Sequence, residues 1–318
     1  MRKKTVRARL LRVFLSIGIF LVVLAGTGAL YQAIGATIDK QHFPLVGQMV
    51  DVGGYKLHLY CTGTGSPTVI LEAGLGDNTL VWSKVQPGIA TSTRVCSYDR
   101  AGYGRSDVSS TPRTGKQIVA ELHTLLMKAD IASPYILVGH SLGGLFVRLY
   151  ASTYPREVTG MVLIDASHED QPASSAQEVQ NHYLNQWLAT FGIQRLVLQL
   201  NLEPSDDFKD YPSAVVPIMK AYEARPQFFR TYADELAAFD ETAAEVRAST
   251  RNLGNMPLIV LSHGLPVPLS LQRQEFFGKL STHSTLIVAS HSGHYIQLEQ
   301  PALVIDAIRQ VLKEQHSS

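Results

Sequence analysis

Three hydrophobic patterns divide this chain. The first is unbroken: the 26 positions from Val13 to Ile38 carry no charged residue, and Phe14, Leu15, Ile17, Ile19, Phe20, Leu21, Val22, Val23 and Leu24 would cover every face of a helix. Apolar residues all round, rather than in one stripe, mark a helix surrounded by apolar material. At about 1.5 Å per residue the stretch exceeds the roughly 30 Å of a bilayer's hydrocarbon core. It predicts a transmembrane or signal-anchor helix over residues 13–38.

The second pattern alternates short apolar runs with amphipathic segments. Gln48–Val52 and Tyr55–Cys61 flank Gly53-Gly54, a pair suited to the positive φ angles of a two-residue hairpin turn. Pro67–Ala73, Thr93–Tyr98, Tyr135–Val138, Val158–Ile164, Leu258–Leu261 and Thr285–Ala289 are apolar runs of strand length, suited to a sheet covered on both faces. Between them, Lys116–Ala129 places Ile118, Leu122, Leu125 and Leu126 at helical spacing, Leu142–Tyr154 continues as helix, and Pro301 opens a last helix carrying Leu303, Val304, Ile308 and Val311. The order predicts an α/β fold, a doubly wound and mostly parallel eight-stranded sheet formed by residues 39–166 and 256–318. The third pattern fills 167–255, where helical periodicity runs without a strand. We read that segment as a helical lid inserted into the sheet domain, and find no internal repeat or low-complexity tract.

Composition refines this picture. With 45% hydrophobic and 17% charged residues, the chain has the material for a large core and too little charge for disorder. Six basic residues (Arg2, Lys3, Lys4, Arg7, Arg9, Arg12) and no acid lie in residues 1–12; subtracting these six from the formal charge of +1 leaves −5 for the remainder. A mildly acidic body without a basic stripe excludes nucleic acid as a natural partner. The basic end instead sets orientation: it stays cytoplasmic, which places the body outside the membrane. Small residues near Ala33 and Ala36 resemble a signal-peptidase site, whose use would release a secreted body, but the apolar stretch is long for a signal peptide and favours an uncleaved anchor. The two cysteines, Cys61 and Cys96, both fall in strands, and the sequence leaves a disulfide and a pair of buried thiols equally open.

The candidate chemistry centres on Gly139-His140-Ser141-Leu142-Gly143, a G-x-S-x-G motif directly after one apolar strand and directly before a helix. A serine on so tight a turn exposes its hydroxyl, and glycines on both sides let the backbone double back. Here the chain resembles the α/β-hydrolase family, from about Val50 to Leu312, with the lid as the poorly matched part. The resemblance implies Ser141 as nucleophile and His294, after the last strand in Ser292-Gly293-His294, as the base; His291 is the nearest competitor. Imidazole, with an ordinary pKa of about 6.5, can take the serine proton and return it to a leaving group. His140 reads as supportive, and His58, His123, His263 and His283 as surface or satisfied core residues.

The third member departs from the commonest family pattern, which puts an aspartate after the strand Leu258–Leu261. Ser262–Ser270 holds no acid, and the next carboxylate is Glu275. Asp165, at the end of Val158–Ile164, matches the position used by haloalkane dehalogenases and pancreatic-type lipases, and is our candidate acid; Glu169 and Asp170 are alternatives. The oxyanion donors would be the backbone amides of Leu142 and Leu75, the latter within Glu72–Asp77, where the family often has His-Gly instead. Asp99 and Arg100 in Tyr98–Ser106 read as bracing. Gly102-x-Gly104 is too short for a dinucleotide fingerprint, no Walker loop occurs, and His291-x-x-His294 lacks a zinc helix's glutamate and spacing, so neither cofactor nor metal is implied. Tyr222, Phe228, Phe229 and Tyr232 read as packing before they read as an acyl pocket. The expected function is hydrolysis of a carboxylic ester or related acyl bond in a small-molecule substrate. A cofactor-free perhydrolase or haloperoxidase, and a non-catalytic membrane-anchored binding protein on the same fold, are the alternatives.

Overall fold

The computed structural model describes residues 2–202, 208–249, 252–264 and 275–315. Most of the acid-free segment Ser262–Ser270 therefore lies outside the described residues. Eight strands form one sheet: β1 (Gln48–Asp51), β2 (Lys56–Thr62), β3 (Thr68–Glu72), β4 (Val95–Asp99), β5 (Tyr135–His140), β6 (Val158–Ile164), β7 (Leu258–His263) and β8 (Ser284–Ala289). Their order is β1-β2-β4-β3-β5-β6-β7-β8; the β1–β2 and β2–β4 pairs are antiparallel and the rest parallel. The expected α/β class, doubly wound sheet and strand count are those observed.

The helices are α1 (Arg2–His42), α2 (Gln86–Ile89), α3 (Gly115–Lys128), α4 (Gly143–Thr153), α5 (Ala176–Thr190), α6 (Ile193–Gln199), α7 (Val216–Glu223), α8 (Pro226–Ala237), α9 (Phe239–Ser249), α10 (Ile296–Glu299) and α11 (Pro301–Gln315). Alternation along the strands sends side chains to two cores. In β5, Leu137 joins Ile70, Leu163 and Val260 beneath α3, α4 and α9. Its neighbours Ile136 and Val138 join Val69, Val162 and Ile259 against α2 and α11. Each fully buried aliphatic side chain contributes about 1.5–3 kcal/mol, so the central strands, covered on both faces, anchor whatever is mounted at their ends.

At the sheet's edge, Val52 donates to Tyr55 O at 3.0 Å across Gly53 and Gly54, both with positive φ, which closes the expected two-residue hairpin. Cys61 and Cys96 stand opposite each other in the β2–β4 register and are joined by a disulfide. Between β6 and β7 the described residues hold five helices, α5 to α9, and no strand.

The apolar N-terminal helix is longer than expected. It runs without a break from the basic end to His42 rather than over 13–38, and Arg9–His42 is long and apolar enough to cross a membrane. Its C-terminal third is held by tertiary contacts that a hydropathy pattern does not reveal. Buried Gln32 donates to Ala224 O at 3.0 Å and accepts from Arg195 Nε at 2.9 Å, while Arg195 Nη2 reaches Asp39 at 2.8 Å. The helical insertion thus docks on α1.

Candidate active site

Ser141 lies between β5 and α4 with φ +51°, in the left-handed region that non-glycine residues rarely enter. The turn is held from three sides. Ser141 N–H donates to Ile164 O at 3.1 Å, and Ser141 O accepts from Gly144 at 2.9 Å and Ser167 at 2.8 Å. Both motif glycines are required sterically: a Cβ on Gly139 would stand 2.7 Å from Gly143 O, and one on Gly143 2.6 Å from Ala73 O. The oxygen-bearing serine is therefore forced to the carboxyl end of the central strands.

One strand over, Asp165 follows β6, also at positive φ (+41°), with its N–H bonded to Leu261 O of β7 at 2.7 Å. Its nearly buried carboxylate meets His294 Nδ1 at 2.5 Å through Oδ2. The other oxygen, Oδ1, meets His263 Nδ1 at 2.7 Å and the His263 backbone N–H at 3.4 Å. Burial pushes this carboxyl's pKa up, but the hydrogen bonds and charge of His294 and then His263 outweigh it, so the net shift is downward and the carboxylate form is favoured. Sequence reasoning leaves His263 among the background histidines. It occupies the end of β7, the very strand after which the commonest family pattern has its acid. Asp165, His263 and His294 also present ligand atoms within 4.8 Å of one another, close enough for a metal ion, although here both Nδ1 atoms contact the carboxylate directly.

His140 ties the serine turn to the histidine loop. It is buried, its Nε2 lies 3.1 Å from the carbonyl of His294, and the two rings are 4.7 Å apart. Burial lowers its pKa, against the pull of Asp77, which favours a neutral ring donating to that carbonyl. The competing candidates are otherwise engaged. His291 is exposed, with no hydrogen bond to Asp165 among the described residues. Glu169 forms a two-pronged pair with Arg148 at 2.6 and 2.9 Å, and Asp170 pairs with Arg247 at 3.1 Å.

Ser141, Leu142 and Leu75 line one cavity of about 160 Å³, closed by Ser167, Gln171, Glu178, Glu235, Leu236 and Phe239. Buried Arg100 braces its wall: it donates to Ala73 O at 2.6 Å, Gly74 O at 2.7 Å and Glu72 at 2.9 Å, and grips both oxygens of Glu235 at 2.9 Å. Asp99, in turn, accepts from Thr79 and Arg105 backbone amides and contacts His58 Nδ1 at 2.7 Å. Phe228 packs on Tyr103 and Tyr232, and Tyr222 holds Arg105, so these aromatics serve packing.

A serine turn at the carboxyl end of a doubly wound sheet, with a histidine–aspartate pair on the adjoining strand ends, defines the hydrolase class of α/β proteins. The alpha/beta hydrolase fold model matches residues 67–301, and the chain belongs to that family. It is 28% identical over 255 residues to the uncharacterized protein YqjL of Bacillus subtilis, covering 78% of this chain and 85% of that one. Its fold matches Cfl2 of Burkholderia cenocepacia (TM-score 0.68, 22% identity, covering 83% of this chain and 94% of that one). It also matches an enol-lactonase of Burkholderia xenovorans (TM-score 0.66, 18% identity, covering 84% and 100%). Family membership supports a hydrolytic activity.

Proposed function

We propose that the protein is a serine hydrolase that cleaves a carboxylic ester through an acyl-enzyme on Ser141. The observations carrying this reading are the strained Ser141 turn, which lines a cavity where β5 meets α4, and the buried Asp165 carboxylate bonded to His294. Ser141 Oγ attacks the carbonyl carbon while His294 Nε2 takes its proton; Asp165 holds Nδ1–H and stabilises the imidazolium. The oxyanion is received by the amides of Leu142 and Leu75. The leaving alcohol takes the proton from His294, and a water, deprotonated by the same ring, releases the acid and restores Ser141. A cavity of about 160 Å³, similar to one that holds benzene, favours a small acyl group. Epoxide hydrolases and dehalogenases of this fold need an aspartate nucleophile, and position 141 is serine.

The same reading has α1 as an uncleaved anchor, its basic end cytoplasmic and the body outside. The Cys61–Cys96 disulfide supports an oxidising compartment. Cleavage near Ala36 would discard Gln32, a buried partner of Arg195, which favours retention.

Fluorophosphonate labelling of the detergent-solubilised full chain tests the chemistry, with Ser141→Ala, His294→Ala and Asp165→Asn as comparisons. Labelling abolished in the first and strongly slowed in the others is expected. A folded wild type that never labels would point to a binding protein, and peroxide-dependent bromination exceeding ester turnover would point to a perhydrolase.

A further inference from the structure

Between Val179 and Leu202 the sequence holds one Asp, Glu, Lys or Arg, and that residue, Arg195, is buried against Gln32 and Asp39 of α1. The exposed side chains of the segment are of another kind. From Tyr183 to Leu200 they are Leu184, Trp187, Ile193, Leu196, Gln199 and Leu200, and Gln199 is hydrogen-bonded to Tyr31 of α1. Leu184 and Trp187 are three residues apart on α5, with Phe191 one turn further, stacked on Trp187 at 6.4 Å. Ile193, Leu196 and Leu200 make a matching stripe along α6, next to the face that grips α1. A segment whose one charged residue is buried and which exposes five large apolar groups is not what water selects.

The height of this surface is fixed by its contacts. Glycines bring the elements together: a Cβ on Gly28 would stand 2.3 Å from Phe191 O, and one on Gly192 2.7 Å from Tyr31. The last basic residue before the apolar stretch is Arg12. About 20 residues of helix span the hydrocarbon layer, so the outer boundary falls near Gln32, level with the α5–α6 corner. Leu30, just on the membrane side of that boundary, remains exposed and apolar. A tryptophan at this level is where aromatic belts form.

We propose that the α5–α6 face, through Leu184, Trp187, Ile193, Leu196 and Leu200, is a membrane-docking surface seated in the outer interface of the bilayer that α1 crosses. The inference rests on the anchor reading of α1. It holds the helical insertion, and with it the Ser141 cavity wall formed by Glu178 and Gln171, at the lipid surface rather than on a free tether.

The chain's two tryptophans make the test direct, because Trp82 is fully buried in the core and Trp187 is 61% exposed. The full chain is reconstituted in phosphatidylcholine vesicles with and without lipids brominated near the headgroup end of the acyl chain. Bromolipid should quench most of the Trp187 emission in wild type and quench nothing in Trp187→Phe. In the Trp187→Phe background, a second substitution, Leu21→Trp, places an indole reporter in the middle of α1. Quenching of that reporter by deep bromines with Trp187 unquenched in wild type would overturn the docking surface and leave the anchor standing. Absence of quenching at both positions would overturn the anchor and the surface together.

Discussion

The double engagement of Asp165 makes its neutralisation the most informative perturbation. In Asp165→Asn the side chain keeps one acceptor and gains a donor, yet its site holds three N–H groups: His294 Nδ1, His263 Nδ1 and the His263 backbone. The backbone N–H cannot change tautomer, so the asparagine oxygen turns toward His263 and its NH₂ toward His294. His294 then presents Nδ1 as acceptor and carries its proton on Nε2, where the serine proton should go. A wrong tautomer of this kind costs about 10⁴ in kcat, or about 5 kcal/mol. His263→Ala, by contrast, removes one of two imidazole bonds and leaves His294 oriented. Its cost should stay within about tenfold, a charge-assisted hydrogen bond being worth about 1.5–3 kcal/mol and only partly expressed in the rate. With less holding the carboxylate ionised, the Asp165 pKa should rise. The assay is kcat/KM for p-nitrophenyl acetate on the detergent-solubilised full chain. An Asp165→Asn enzyme keeping more than a tenth of wild-type activity would refute the orienting role. A His263→Ala loss as deep as that of Asp165→Asn would mean that His263 itself carries the proton.

Other expectations follow from the surroundings of the site. Arg100→Met strands Glu72 and Glu235 in the core and should destabilise by about 3–5 kcal/mol, lowering the melting temperature by on the order of 10 °C, as read by scanning calorimetry. Burial, opposed by Arg100 and Tyr98, raises the Glu72 pKa from 4.5 to about 7. The folded protein thus binds this proton more tightly than the unfolded chain. The stabilisation is complete below pH 4.5 and lost as pH rises through 7, by as much as about 3 kcal/mol, and urea midpoints at pH 5 and pH 8 should converge in Glu72→Gln. Replacing both Cys61 and Cys96 by alanine opens a loop spanning 35 residues and should cost about 3–4 kcal/mol in the urea-unfolding free energy. EDTA should leave ester turnover unchanged, whereas added Zn²⁺ should inhibit by displacing protons from the Asp165–His263–His294 cluster; activity lost to chelation and restored by metal would reverse this assignment.

What could be read from the sequence follows the range of the forces involved. Strands such as Val158–Ile164 announce themselves because two-sided burial writes an apolar run into a few consecutive residues. The serine turn is legible for the same reason, since its steric demands fall on Gly139 and Gly143, two positions either side. His263 carries no such local mark. Its contact with Asp165 depends on the β6–β7 register, in which Ile164 stands opposite Leu261, so that the two strand ends deliver residues 165 and 263 to one spot. Glu235 meets Arg100 across 135 positions, and Arg195 meets Gln32 across 163. Periodicity speaks of a residue's burial, not of its partner.

The Arg100 contacts also restrict how the cavity can open. The guanidinium pulls on the carbonyls of Ala73 and Gly74, setting the loop that carries Leu75, while its other edge clamps Glu235 of α8, which lines the cavity opposite. Separating α8 from the sheet would strip Glu235 of its arginine and leave Arg100 paired with Glu72 alone, a cost of several kcal/mol. The α5 side of the cavity has no comparable clamp on the sheet among the described residues; its firmest polar attachments bind Tyr183 to α8 and Gln199 of α6 to α1.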